Sequence, residues 1–275
     1  MKKILIGALL LTGCALPVMA CTGISATAKD GGYVQARTIE WGDSYLPSQY
    51  VVIPCGHEMI SYTPKGMNGA KFRARYGVVG LSIVLKDFDV EGLNAAGLSA
   101  GLFYFPHYGN YPVYDAKQNT RTVADLQLVA WMLSQFSTIE EIKAAMQDIR
   151  VVPVDTTGAS STVHWRIGDA NGRQVVLEFV DGVPCFYENE ISVLTNSPGF
   201  PWQMTNLNNY VNLYPGGAEA HQLGGVTIFP FGAGSGFQGI PGDVTPPSRF
   251  VRAAFYKATA PQCATAYDAV LQSFH

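Results

Sequence analysis

The chain has 275 residues, 48% of them hydrophobic and 14% charged, which is enough apolar material for one sizeable core. Its formal net charge is −3, so it lacks the basic footprint of a nucleic-acid binder and the polybasic patch of a protein that docks on anionic lipid. No composition shift or Pro/Ser/Gly-rich linker divides it, and a single domain is expected.

The first 20 residues read as an export leader rather than as fold. Lys2 and Lys3 form a positive start, Ile4 to Thr12 is a short apolar run, and Val18-Met19-Ala20 fits a cut before Cys21. The run is too short to span a bilayer. A second cut competes with this one. Leu11-Thr12-Gly13-Cys14 fits the bacterial lipobox, whose cysteine takes a lipid and becomes the N-terminus. Cleavage there leaves Cys21 internal and gives a lipid-anchored binding protein without catalysis. Cleavage before Cys21 gives an exported protein, periplasmic or secreted, with a domain from Cys21 to His275 and no membrane attachment.

Cys21 to Ala28 alternates weakly and ends at the hairpin signal Asp30-Gly31-Gly32, after which Tyr33 to Trp41 reads as a second strand. Tyr76 to Leu85 and Leu98 to Phe105 are further strands, the latter following a turn around Asn94 to Gly97. Thr122 to Phe136 has apolar residues at Val123, Leu126, Val129, Ala130 and Leu133, which is helical spacing. Thr138 with Glu141 makes a capping box for a second helix reaching about Ile149. Thr162 to Phe179 reads as a hairpin around Asn171-Gly172, and Asp181-Gly182 turns the chain into Pro184 to Tyr187. Ser248 to Thr259 is helical, and Thr265 with Asp268 caps a last helix that runs to His275. Strands, a helix pair, strands and helices in that order predict a layered α+β fold.

Four cysteines follow the leader: Cys21, Cys55, Cys185 and Cys263. In an exported chain they can form two disulfides. If Cys21 is instead a free nucleophile, at most one bridge remains. No pair has CxxC spacing and no HExxH occurs, so neither a metal nor another cofactor is expected. A free thiol has a pKa of about 8.5 and an α-amino group one of about 7.7–8.0. An N-terminal cysteine therefore combines nucleophile and base in one residue and needs no histidine. Such a site still requires oxyanion donors, a cation to favour thiolate and an acid to hold the amine. His164, beside Trp165, reads as a packed strand residue rather than a catalytic base. The Gly-rich stretch from Phe231 to Gly236 matches neither a P-loop nor GxSxG and reads as a flexible loop.

Several segments converge on one resemblance. Cys21-Thr22 opens the mature chain, and Ala36-Arg37-Thr38-Ile39-Glu40-Trp41 resembles an Arg-x-x-Asp-Trp strand. Glu91 to Leu98 resembles an Asp-Gly-x-Asn-x-x-Gly-Leu turn, and Thr195-Asn196-Ser197-Pro198 a Thr-Asn-x-Pro loop. Pro241-Gly242-Asp243 through Pro247-Ser248-Arg249-Phe250 resembles a last active-site segment. Together, in this order, they resemble the choloylglycine hydrolase family, the bile salt hydrolases and penicillin V acylases. These are N-terminal-nucleophile hydrolases with a four-layer αββα sandwich.

The resemblance implies roles. Cys21 is the nucleophile and its α-amine the base. Arg37 stands beside the thiol, Glu40 takes the place of an Asp that contacts the amine, and its side chain is one methylene longer. Asn94 and Asn196 supply oxyanion donors and orient the amine, while Arg249 stabilises charge. Trp41 and Tyr104 line the acyl pocket. Implied substrates are conjugated bile salts, phenoxyacyl penicillins or N-acyl homoserine lactones, and a homo-oligomer is the implied assembly. Family members run on for a few dozen residues, so this chain is expected to lack C-terminal strands.

Overall fold

The computed structural model describes residues 19–41, 46–154 and 162–273. The leader through residue 18, with Cys14, lies outside the described residues, as do His275 and the side chain of Trp41.

β1 (Met19–Thr27) and β2 (Tyr33–Trp41) form the expected hairpin. Its turn uses Gly31 at φ 84°, a conformation a side chain would oppose, and Asp30 Oδ1 accepts the Gly32 N–H at 2.9 Å. Next come β3 (Ser48–Ile53), the short β4 (Glu58–Ile60) and β5 (Lys71–Arg73), β6 (Val78–Ile83), β7 (Asp89–Asn94) and β8 (Ser99–Tyr104). β6 and β8 fall inside their predicted ranges.

The helical spacing after Thr122 is realised only in its second half. β9 (Thr122–Ala124) is a strand, and the helix α1 (Leu128–Gln135) begins after a single 3₁₀ turn. Tertiary hydrogen bonds decide this. The Thr122 carbonyl, which a helix would turn toward the Leu126 N–H, accepts the Ala70 N–H at 2.8 Å, Ala124 N–H donates to Ser61 Oγ at 2.8 Å, and Val123 pairs with Val151 in a parallel ladder that holds the segment extended. α2 (Ile139–Ala145) starts at the predicted reciprocal capping box of Thr138 and Glu141. It stops short of Ile149, where the chain turns into β10 (Arg150–Val152), the parallel partner of β9.

β11 (Val163–Gly168), β12 (Gln174–Val180) and β13 (Val183–Glu188) form a meander through the two predicted turns. β14 (Val193–Leu194) and α3 (Phe200–Asn206) follow, then an exposed hairpin of β15 (His221–Leu223) and β16 (Val226–Ile228). α4 (Pro246–Thr259) and α5 (Ala266–Gln272) complete the chain, and the Thr265 hydroxyl accepts the Asp268 N–H as expected. No helix among the described residues is long and apolar enough to cross a membrane.

Two antiparallel sheets organise these elements. The larger has the order β13-β12-β11-β8-β7-β6-β3, the smaller β14-β1-β2. α1 packs on β7 and β8, α4 and α5 on β1 and its neighbours, and β1 meets β8 face to face. The layers are helix, sheet, sheet, helix, the predicted αββα sandwich. In the β1–β2 ladder Cys21 pairs with Ile39 and Gly23 with Arg37, so these four residues share one face. That face meets the large sheet at close range because Gly23 has no side chain. A Cβ there would lie 2.6 Å from Phe103 Cζ and 2.8 Å from Arg166 Nη1.

Candidate active site

Cys21 is the third residue of β1 and only 6% exposed, packed with Phe103, Phe200 and Phe250 in the smaller of two apolar clusters. It is a free thiol, as are Cys55, Cys185 and Cys263. β14 pairs with β1 through Gly23–Leu194 and Ile24–Val193, and that register extended by two residues sets Cys21 opposite Asn196. β14 has ended there, and a side chain takes over from the backbone. Asn196 Oδ1 accepts the Cys21 N–H at 2.8 Å, and Asn196 Nδ2 donates to the Tyr104 carbonyl at 2.7 Å. Among the described residues the second Nδ2 hydrogen has no partner. Asn196 is 2% exposed, so its bonds are made away from competing water.

Arg249 reaches the same point from the first turn of α4. Nη1 donates to Cys21 O at 2.5 Å and to Thr22 Oγ1 at 2.6 Å, Nη2 to Asn196 Oδ1 at 2.9 Å, and Nε to Val244 O at 2.9 Å. Burial pulls the guanidinium below its usual range, against the opposing pull of the Glu40 carboxylate and the Cys21 thiol, and Arg252 adds to the lowering. An arginine stays cationic through such a shift.

The segment before Arg249 is built for this placement. Asp243 Oδ2 accepts Ser248 Oγ–H at 2.6 Å, and Oδ1 accepts from both the hydroxyl and the N–H of Thr245. Those bonds, Ser248 first, hold the Asp243 carboxyl down to about 2. Arg252 ties down the Pro241 and Asp243 carbonyls. The Pro-Gly-Asp and Pro-Ser-Arg-Phe pieces thus act together, the aspartate of one bracing through Thr245 and Ser248 the start of the helix that carries the other.

Arg37 shares the face of Cys21 but is occupied by other partners. Nη1 donates to Leu102 O at 2.6 Å, Val90 O at 3.1 Å and Glu91 Oε2 at 3.3 Å, with the guanidinium 4.1 Å from the centre of the Phe103 ring. Among the described residues no hydrogen bond joins it to Cys21. Glu91 also holds Arg166 at 3.0 Å, and Arg166 in turn donates to Ile24 O at 2.9 Å. Gly101 makes room for this carboxylate, since a Cβ there would fall 2.0 Å from Glu91 Oε2.

Glu40 lies opposite Ala20, on the face of β2 away from the thiol, and is exposed. Its negative charge acts on Arg249, favouring the charged guanidinium. Tyr104 closes β8 half-buried, with its carbonyl bound to Asn196.

Asn94 is not brought to this site. Both Nδ2 hydrogens are spent on Leu133 O at 2.8 Å and Phe136 O at 2.7 Å, and Oδ1 accepts from Ala96 N and Leu98 N. It ties the β7–β8 turn to the end of α1 and keeps no donor for an oxyanion, so the expected role is withdrawn.

His164 is the packed strand residue that the sequence suggests, buried on β11, but its polar partners are not visible in the local sequence. Its Nδ1 lies 2.9 Å from Glu178 Oε1 and its Nε2 3.0 Å from Thr195 O, with neither residue more than 1% exposed. The hairpin held the signal: each residue stands seven positions from Asn171, so the predicted turn sets them side by side across the ladder.

Residues 21–275 match the model of the family described as linear amide C-N hydrolases, choloylglycine hydrolase family. The chain is 32% identical over 241 residues to a bile salt hydrolase/transferase of Clostridium perfringens, covering 86% of this chain and 71% of that one. It is 32% identical over 253 residues to one from Bifidobacterium longum subsp. longum, covering 88% and 75%. Among solved structures, a mutant conjugated bile acid hydrolase from Clostridium perfringens superposes with TM-score 0.77 at 28% identity, over 92% of this chain and 78% of that one. The penicillin V acylase of Agrobacterium tumefaciens shares the fold, with TM-score 0.73 at 24% identity, over 92% and 70%.

Proposed function

The chain belongs to the choloylglycine hydrolase family of linear amide C–N hydrolases, and we propose that it hydrolyses its substrate with Cys21 acting as an N-terminal nucleophile. The supporting observation is the bond from Cys21 N to Asn196 Oδ1 at 2.8 Å, made where Arg249 also converges. A cut before Cys21 turns that N–H into an α-amine. The amine then donates one hydrogen to Asn196 Oδ1, which orients its lone pair. The thiol proton passes to the amine, and the thiolate attacks the amide carbonyl carbon. The second Nδ2 hydrogen of Asn196 serves the oxyanion. Collapse breaks the C–N bond, the leaving amine takes the proton, and water hydrolyses the thioester. Glu40, opposite the residue removed by the cut, provides negative charge beside the new ammonium.

Export through the leader, to the periplasm or outside, belongs to this reading, because the cut supplies the base. Candidate substrates are conjugated bile salts, penicillin V and N-acyl homoserine lactones, and Tyr104 and Trp41 are the proposed acyl-pocket residues. The test is intact mass and N-terminal sequencing of the exported protein, followed by hydrolysis of the three substrate types. A chain that starts at Cys21 and loses turnover in Cys21→Ala supports the reading. A lipid-modified chain starting at Cys14, or a Cys21→Ala variant that still hydrolyses, overturns it.

A further inference from the structure

We propose that His164 and Glu178 are positioning residues that set the place of Asn196, an inference that rests on the reaction assigned to Cys21. Asn196 sits on a five-residue loop, Thr195 to Gly199, between β14 and α3. Both ends of that loop are tied to this one pair. At the near end His164 Nε2 lies 3.0 Å from Thr195 O, the residue before Asn196. At the far end Glu178 Oε1 accepts the Phe200 N–H, the first residue of α3, at 2.8 Å.

The chemistry of the pair is constrained by its partners. A carbonyl only accepts, so Nε2 carries a hydrogen and donates it to Thr195 O. The 2.9 Å contact between Nδ1 and Glu178 Oε1 needs a proton as well. Whether that proton rests on nitrogen or oxygen, the pair is neutral overall, which is what full burial requires. The ring is held flat. Phe105 stacks on it with centroids 4.3 Å apart and planes 6° from parallel, while Phe103 meets it edge-on. With the imidazole fixed in both position and hydrogen placement, Thr195 O has one place to be. Asn196 follows from it by one peptide unit. The neutral pair is thus a rigid ruler between the large sheet and the loop on the small one.

The test uses the processed full chain. His164→Phe keeps the ring volume and the stack but has no donor for Thr195, whereas His164→Gln keeps a donor. Each is checked by thermal melting, then assayed on penicillin V and glycocholate. The rate of Cys21 alkylation by iodoacetamide at pH 7 provides a substrate-independent readout. His164→Phe is expected to lower kcat about 10–100-fold with KM within about twofold, as a displacement near 1 Å does, and to change the alkylation rate. His164→Gln recovers kcat to within about fivefold of the parent. A folded His164→Phe with parental kcat and alkylation rate overturns the proposal, and so does a His164→Gln as slow as the Phe variant. If His164→Phe does not melt cooperatively, Glu178→Leu and Glu178→Gln decide in the same way, since only Gln keeps an acceptor for Phe200. Cys21→Ala separates the two readings. If it still hydrolyses, the nucleophile assignment falls, whereas a dead Cys21→Ala beside a fast His164→Phe removes only the positioning role.

Discussion

Asn196 and Arg249 are joined through an oxygen that is already in use: Arg249 Nη2 donates at 2.9 Å to the same Oδ1 that accepts the Cys21 N–H at 2.8 Å. Both lone pairs of that oxygen are taken. The amide cannot turn over, because a flip would face Nδ2 against the guanidinium and leave the Tyr104 carbonyl without its donor.

Asn196→Asp keeps the shared oxygen and loses the amide hydrogens. Turnover is expected to fall about 10²–10³-fold, the cost of removing one oxyanion donor. The kcat of the purified variant, with a melting curve to confirm folding, checks this.

Arg249→Lys retains charge and loses the fork. One ammonium cannot span Cys21 O, Thr22 Oγ1, Asn196 Oδ1 and Val244 O together. Activity is expected to fall more than tenfold. Stability should drop by about 1–3 kcal/mol, because buried acceptors are left unmet. Urea unfolding with both proteins at one pH measures the second effect.

Gly101→Ala drives a methyl into the Glu91 carboxylate and unseats the anchor shared by Arg37 and Arg166. A loss of about 1–3 kcal/mol is expected from overpacking, together with a changed rate of Cys21 alkylation. Thr138→Ala, in the capping box of α2, is the matched control. It should cost about 1 kcal/mol and leave turnover unchanged.

Stability should decline with rising pH across the weakly acidic range. Asp89 and Asp125 are both pushed up to about 7 by burial, Asp89 with help from Asp87 and Asp125 against opposing backbone hydrogen bonds. Below the ordinary Asp range both folded and unfolded chains are protonated. Between about 4 and 7 the folded chain keeps protons that the unfolded chain releases, so their contribution is lost as pH rises through the folded value. Urea midpoints should be higher at pH 5 than at pH 8. Asp89→Asn and Asp125→Asn should each flatten the difference.

Local pattern was enough for the β1–β2 hairpin, the Thr138 cap and the β11–β12 turn, because each is set by neighbours within a few residues. It failed where distant groups decide. The apolar spacing from Val123 onward is honest helix periodicity, yet Ser61 and Ala70 claim the backbone of its first turn. Asn94 sits in a turn that matches a family motif, and its duty depends on the end of α1, some forty residues away. The positions of Cys21, Asn196 and Arg249 were legible as motifs. Their convergence on one oxygen was not, since strand, loop and helix meet only through the packing of the two sheets. The role of His164 beyond packing is not legible locally, because a polar residue in a buried strand gives no hint of its partner until the hairpin register is written out.

The carboxylate of Glu91 serves two guanidiniums, so the trio of Arg37, Arg166 and Glu91 holds one positive charge in excess. It behaves like a salt crystal missing one anion, and in the proposed reaction a thiolate formed on the same face of the β1–β2 hairpin supplies it. Under the proposed mechanism the ionisation of Cys21 and the cohesion of the two sheets draw on a single balance of charge, and a change made for one is felt by the other.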